Sequence, residues 1–146
     1  MEYERLLALW DQRTVLLTFV LDLTKQIEVQ SCQEDIQLGD LPEQRQVYLD
    51  RLKKCNRMID ASVGKTDAEN RVRLKKLLAP NPDLTSCTKE EHRLAAYARE
   101  SRRLLDSILA SDTEARRKIQ LECDRLRELA RSSRKKAASP PESGSV

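Results

Sequence analysis

The chain has 146 residues, of which 35% are charged and only 3% are aromatic, with three glycines and a formal net charge of +3. This length is that of one domain, and a Leu-, Arg-, Glu- and Lys-rich composition is typical of long helices and coiled coils and argues against a β-sheet. We therefore expect an all-α fold: an elongated antiparallel helical bundle, coiled-coil-like, of three to four helices with a long C-terminal helix.

The charge is distributed unevenly along the chain. Residues 1–60 carry eight Lys/Arg against eleven Asp/Glu, residues 61–112 ten against eight, and residues 113–146 nine against five. A basic C-terminal end would be attracted to acidic partners, nucleic acid or an anionic membrane surface. Because both signs are mixed within residues 113–131, we interpret this region as a solvated helix face.

The N-terminal segment has none of the features of a secretory signal. Residues 1–10 contain Glu2, Glu4 and Arg5 and no small-residue cleavage site. The most apolar run, residues 15–23, is nine residues long and includes an aspartate, whereas a membrane span needs about 20 apolar residues. We expect a soluble cytoplasmic protein with no membrane insertion.

The first predicted helix runs from about Glu2 to about Cys32. Its apolar residues surround the middle of the helix, which predicts packing against more than one neighbour. Trp10, the only tryptophan, is interpreted as a core anchor near one end of the bundle.

The first predicted helix is followed by a break in helical structure and then by the start of a second helix. Gly39 can adopt the left-handed conformation that ends a helix, Asp40 is a good N-cap, and Glu43 completes a capping-box pattern. The second helix is predicted from near Leu41 to near Gly64.

Residues 64–66, Gly-Lys-Thr, resemble the end of a phosphate-binding loop. That motif also needs a glycine at position 59, which is Ile59, and a preceding strand, so we reject nucleotide binding. Thr66 with Glu69 instead predicts the cap of a short helix, which a Pro-Asn-Pro sequence ends.

The longest predicted helix covers residues 90–131, with neither proline nor glycine, and begins at a third capping sequence, residues 88–91. Its apolar residues recur at steps of three and four, which predicts one helix face about 60 Å long. A domain of this size cannot cover such a face completely, so part of it is expected to be covered by a partner. Ser101, Asp112 and Glu122 interrupt the face and are expected to meet water, a neighbouring side chain or a partner.

Residues 1–133 are therefore assigned to the helical bundle domain. Residues 134–146 are rich in Ser, Pro and Lys, and this composition predicts a disordered tail.

The four cysteines form no metal-binding or catalytic pattern. Cys32, Cys55, Cys87 and Cys123 are 23, 32 and 36 residues apart, and His92 is the only histidine. A zinc site needs close ligand pairs, and disulfide frameworks are rare in cytosolic proteins. Cys55 is predicted to be a small buried hydrophobe, and Cys87 an exposed loop thiol. With no glycine-rich loop or nucleophile elbow either, we expect no enzyme activity, no metal and no cofactor.

Four features of the sequence resemble those of a known family. They are Thr-Lys-Gln at residues 24–26, Gly-Asp-Leu at residues 39–41, Gln-Arg-Gln-x-x-Leu-x-x-Leu at residues 44–52, and Ile-Leu-x-x-Asp at residues 108–112. Together, over most of residues 3–131, this layout resembles the bacterial flagellar export chaperones of the FlgN/FliT type.

The resemblance implies a small cytosolic chaperone for type III export. Such a protein would bind the C-terminal helical segment of a flagellar axial protein (hook-associated, cap or flagellin), prevent premature assembly and deliver it to the export apparatus. A client helix of this kind suits an uncovered apolar face. We name the expected client contacts the apolar seam: Leu105, Ile108, Ala115, Ile119, Cys123, Leu126 and Leu129. Leu105 and Ile108 are equally consistent with packing on the first helix.

Two other functions remain open. The apolar seam could instead join two copies of a coiled-coil adaptor or structural protein into a homodimer. A nucleic-acid-associated helical protein would use a basic set and show steep salt dependence, but the scarcity of aromatic residues and the lack of a helix-turn-helix signature disfavour it. That basic set is Arg116, Arg117, Lys118, Arg125, Arg127 and the basic tail.

Overall fold

The computed structural model describes residues 3–138 and contains, within that range, four α-helices and no β-strand. The helices are α1 (Glu4–Gln30), α2 (Leu41–Gly64), α3 (Ala68–Leu77) and α4 (Lys89–Ala138). The prediction of an all-α bundle with a long C-terminal helix is confirmed.

Helix α4 continues through Ala138, so residues 134–138, which were predicted to belong to a disordered tail, are helical. The sequence has no helix breaker before Pro140, and Lys135 and Lys136 suit the negative end of a helix dipole. The remainder of the predicted tail lies outside the described residues.

Helix α2 runs antiparallel to α1. Cys55 Sγ, late in α2, donates a hydrogen bond to the carbonyl oxygen of Leu9 at 3.4 Å, and Arg45 Nε, early in α2, donates to Thr24 Oγ1 at 3.0 Å. The α1–α2 connection, residues 31–40, reverses the chain. Gly39 has φ +58° there, so the predicted left-handed conformation is confirmed, but α1 has already ended at Gln30 and Gly39 does not end that helix.

Helix α4 runs parallel to α1. Near its start, Leu94 belongs to the same apolar cluster as Leu6, and further along Ser111 Oγ donates to the carboxylate of Glu28 at 2.5 Å. Helix α2 has already brought the chain back to the end of the bundle where α1 begins, and α3 stays at that end, since Leu74 of α3 also belongs to that cluster. Antiparallel packing therefore describes α1 with α2, whereas α1 and α4 point the same way.

The core consists of two apolar clusters along α1. The buried residues of the first are Leu6, Leu7, Leu9, Leu16, Cys55, Ile59, Leu74 and Leu94. Those of the second are Leu17, Val20, Leu104 and Ile108. Trp10 packs against the first cluster, as predicted for a core anchor. Each fully buried leucine stabilises the fold by about 1.5–3 kcal/mol, so these clusters hold the bundle together.

The helix starts follow the predicted capping sequences in one case of three. At the start of α4, Glu91 N–H donates to Thr88 Oγ1 at 3.2 Å and Thr88 N–H donates to Glu91 Oε1 at 3.1 Å, which is the predicted capping box. Asp40 makes no side-chain cap bond, because its backbone (φ −96°, ψ 10°) is not extended as an N-cap requires. Asp67, which is extended, caps α3 in place of Thr66.

Glu91 also joins α3 to α4. Its nearly fully buried carboxylate accepts hydrogen bonds from Arg73 Nε and, at 2.8 Å, from Arg73 Nη2. These bonds, opposed by burial and aided by Thr88, lower the pKa of Glu91 to about 2. The start of α4 is therefore fixed to the bundle by a charged group as well as by apolar packing.

None of the helices in residues 3–138 has both the length and the apolar character needed to cross a bilayer.

Candidate functional site

Helix α4 is much longer than the helix it packs against. It has 50 residues and α1 has 27, which correspond to about 75 Å and about 40 Å. Ala115 is buried, whereas none of residues 116–137 is buried and every residue from 123 to 137 is exposed. We call residues 119–137 the distal segment.

Local ion pairs support the helical conformation of the distal segment, most of which is exposed. Arg125 Nη2 lies 2.5 Å from Glu122 Oε1, and Arg131 Nη1 lies 3.7 Å from Glu128 Oε2, each pair three residues apart. Pairs at this spacing stabilise a helix by about 0.2–0.5 kcal/mol each. The segment can therefore present its side chains to a partner without support from the bundle.

The bundle buries the first part of the predicted apolar seam. Ile108 and Ala115 are only 6% and 2% exposed, and Leu105 packs against the second core cluster. These residues stabilise the chain's own fold: Ile108 and Ala115 are not accessible to a client in this conformation, and Leu105 is half-buried against the cluster that contains Leu17 and Val20 of α1. The alternative left open for Leu105 and Ile108, packing on the first helix, is the arrangement that the structure has.

The rest of the apolar seam is solvent-accessible, and we call it the outer seam: Ile119, Cys123, Leu126 and Leu129. Ile119 is half-buried and the other three are exposed, with Leu126 and Leu129 at 53% and 51%. Their spacing of three and four residues places them on one helix face. Single exposed leucines are ordinary on protein surfaces, but a continuous apolar row is a feature of interaction sites.

The α1–α2 connection turns part of the outer seam into one wall of a groove. The groove is open to solvent, with a volume of about 430 Å³. Its apolar lining residues are Ile36 and Leu38 from the connection, and Ile119, Cys123 and Leu126 from α4. An apolar groove beside an exposed helix face is the arrangement that binds amphipathic helices.

Ile36 and Leu38 were not among the predicted site residues. The signal that could have identified them is the presence of two apolar side chains, two residues apart, in a connection that is otherwise polar. Both are half-buried.

One polar contact holds the start of the α1–α2 connection against α4: Lys118 Nζ donates to Cys32 Sγ at 2.8 Å. Within the end of α1 itself, Ser31 Oγ donates to the carbonyl oxygen of Ile27 at 2.7 Å. The groove is therefore formed by the chain alone.

Two of the three polar residues that interrupt the predicted face have partners. Arg45 Nη2 donates to Asp112 at 3.2 Å while its Nε donates to Thr24, so one arginine links α1, α2 and α4. Glu122 forms a local ion pair on α4. Ser101 departs from the expectation: it is buried, and its hydroxyl has no hydrogen-bond partner among residues 3–138.

The thiols and other metal-ligand side chains form no second site in the described part of the chain. All four cysteines are free, and no group of three or more His, Cys, Asp or Glu residues there could hold a metal. Cys55 is 2% exposed, which confirms its prediction as a buried hydrophobe. Cys87 is half-buried rather than fully exposed, because its Sγ folds back to 3.7 Å from the carbonyl oxygen of Asp83.

No protein-family model matches this chain, and no curated protein or solved structure is significantly similar to it.

Proposed function

We propose that this protein is a helix-binding chaperone whose client docks on the outer seam and in the adjoining groove. The observation that carries the proposal is the exposed row of Cys123, Leu126 and Leu129 on a stretch of helix, residues 123–137, in which every residue is exposed. The proposal is that of a binding protein without catalytic chemistry.

The size of the apolar contact indicates what else the client must touch. About half of each leucine side chain in the outer seam is exposed, so covering both would contribute roughly 2–3 kcal/mol. A micromolar complex needs about 8 kcal/mol. The groove beside Ile36 and Leu38 and the charges around the distal segment must therefore contribute as well.

The more specific form of the proposal is a cytoplasmic chaperone for flagellar type III export. The client would be the C-terminal helical segment of an axial protein (hook-associated, cap or flagellin), kept from premature assembly and delivered to the export apparatus. The support is the sequence resemblance to chaperones of the FlgN/FliT type, together with a groove and helix face suited to an amphipathic helix.

The direct test is isothermal titration calorimetry with synthetic peptides that cover the C-terminal segments of the host's flagellar axial proteins. We expect one of them to bind with micromolar or tighter affinity. The double variant Leu126→Asp/Leu129→Asp should weaken that binding at least about 30-fold, because it places two charges against an apolar surface. Circular dichroism should show unchanged helical content.

Leu121→Asp is the matched control. The side chain of Leu121 is 56% exposed, a fraction similar to that of Leu126. It lies five residues from Leu126 in the sequence and hence on nearly the opposite side of α4. It should leave binding unchanged. Failure of every axial segment to bind the wild-type protein would remove the flagellar proposal, and unaltered binding by the double variant would remove the outer seam as the site.

The self-associating adaptor is tested in the same set of samples. Sedimentation equilibrium of the wild-type protein without peptide should give the monomer mass of 16.8 kDa. A dimer that the double variant abolishes would favour the adaptor. The nucleic-acid alternative has less support, because the distal segment contains no aromatic residue on which a base could stack.

A further inference from the structure

Basic residues border the outer seam on one side. Lys118, Arg125 and Lys136 follow one another at intervals of seven and eleven residues, close to two and three helical turns, so they lie along one line on α4. Arg125 and Lys136 are exposed, and Lys118 is half-buried beside the α1–α2 connection.

Basic residues also border the other side. Arg116, Arg127 and Arg134 follow one another at intervals of eleven and seven residues, and all three are exposed. Arg127 and Arg125 directly flank Leu126 in the sequence, which places one on each side of it. The outer seam therefore runs between two basic flanks.

Two of the three acidic residues of the distal segment lie away from the outer seam. Asp124 and Glu128 are each two residues from Leu126 and so lie on the opposite side of the helix. Glu122, on the seam side, is already paired with Arg125 at 2.5 Å. Residues 113–138 carry nine Lys/Arg against four Asp/Glu, a net charge of +5, and the excess is concentrated beside the seam.

An apolar seam between two basic flanks favours some binding partners over others. A second copy of the distal segment, in either orientation, would set a basic flank against a basic flank, which opposes pairing just as like charges beside a coiled-coil seam do. Nucleic acid would complement the charges but would leave the leucines exposed. A helix with an apolar stripe and acidic borders complements both features.

We infer that the client of the outer seam is an amphipathic helix that carries Asp or Glu on both sides of its apolar stripe. This inference rests on the proposed function and specifies the chemistry of the client. Glu34 and Asp35 line the wall of the groove that the α1–α2 connection forms. The part of the client that enters the groove is therefore neutral or basic, and its acidic residues lie beside Leu129 and the residues that follow it on α4.

The test uses two designed helical peptides of about 20 residues with the same Leu/Ile stripe. One carries Glu at the positions that border the stripe in its second half, and the other carries Lys there. Binding to the full chain is measured by fluorescence anisotropy at low and high salt. We expect the acidic peptide to bind at least about tenfold more tightly at low salt, and this advantage to shrink as salt screens the charges.

A charge-reversal variant, Arg127→Glu/Arg134→Glu, should invert the preference between the two peptides. Its matched control is Arg93→Glu/Arg99→Glu, which makes the same change of charge at two exposed positions of α4 far from the outer seam. The control should retain the preference for the acidic peptide. Circular dichroism verifies that both variants keep their helical content.

Equal affinity of the wild-type protein for the two peptides would overturn the inference. So would a single-stranded oligonucleotide that binds as tightly as the acidic peptide. If Leu126→Asp/Leu129→Asp abolishes axial-segment binding while the charge reversal changes nothing, the charge inference fails and the proposed function stands. If Leu126→Asp/Leu129→Asp changes neither the binding of the axial segment nor that of the acidic peptide, the outer seam is not the docking site.

Discussion

The proximal half of α4, residues 89–115, and its distal segment place the same residue type in opposite environments. Leu94 and Leu104 are 0% and 3% exposed, whereas Leu126 and Leu129 are 53% and 51% exposed. Both pairs belong to one continuous apolar face. The difference is the neighbour: α1 lies beside the proximal half and ends at Gln30, and no described element covers Leu129.

The two regions also use their charges differently. In the proximal half, two ion pairs join separate helices: Glu91 accepts hydrogen bonds from Arg73 of α3, and Asp112 accepts one from Arg45 of α2. In the distal segment, the pairs are local, as between Glu128 and Arg131. Ion pairs between helices help to hold the helices of the bundle together, whereas ion pairs within one helix stabilise only that helix.

The largest expected effect is a difference in stability between two leucine truncations. Leu94→Ala should lower the free energy of unfolding by about 2–5 kcal/mol, because it leaves a cavity in the core. Leu129→Ala should change it by no more than about 0.5 kcal/mol. Urea denaturation followed by far-UV circular dichroism measures both, and a comparable loss in the two variants would contradict a free distal segment.

The next effect comes from the ion pair at the start of α4. Glu91→Gln should cost about 1–3 kcal/mol near neutral pH, because it weakens hydrogen bonds between a buried carboxylate and a cation. The pKa of Glu91 is lowered from its ordinary 4.5 to about 2. Its stabilisation is therefore complete above about pH 5 and is lost as the pH falls toward 2.

Thermal denaturation between pH 7 and pH 2 checks this sign. The gap in midpoint between the wild-type protein and Glu91→Gln should close as the pH falls. Glu128→Gln is the control from the distal segment: its partner Arg131 is exposed, so the substitution should have little effect at any pH. A gap that stays constant down to pH 2 would mean that the carboxylate is not stabilised in its charged form.

A smaller change in stability is expected when the distal segment is removed. Truncation after residue 120 should alter the free energy of unfolding of the bundle by less than about 1 kcal/mol, because residues 121–137 are exposed apart from the half-buried Glu122. Total helical content should fall in proportion to the residues lost, and peptide binding should disappear. Loss of cooperative unfolding in the truncated chain would show that the distal segment contributes to the core.

The helices were predictable because their signals are local. The capping box of Thr88 and Glu91 and the left-handed Gly39 depend on a few neighbouring residues, and both are present as predicted. The point at which the apolar seam becomes exposed was not predictable in this way. Its spacing is continuous from Leu105 to Leu129, and only the packing of α1 beside α4 divides it.

The groove depends even more on contacts between distant residues. Ile36 and Leu38 lie beside α4, and Lys118 of α4 contacts Cys32 at the start of the α1–α2 connection. That contact joins residues 86 positions apart, beyond the range of any periodicity or capping pattern. The sequence alone could therefore predict an uncovered apolar face but not the second wall that makes it a groove.

The last prediction concerns the reactivity of the cysteine thiols and involves no change in the stability of the protein. Cys123 on the outer seam is exposed, whereas Cys55 is buried in the first core cluster, and this burial raises the pKa of its thiol. A thiol-specific reagent monitored by mass spectrometry should modify Cys123 rapidly and Cys55 only on unfolding. Cys32, exposed beside Lys118 and outside the groove, provides an internal reference. A bound acidic peptide should slow the modification of Cys123 relative to that of Cys32, because only Cys123 lies on the surface that the peptide covers; equal slowing of both would place the peptide elsewhere.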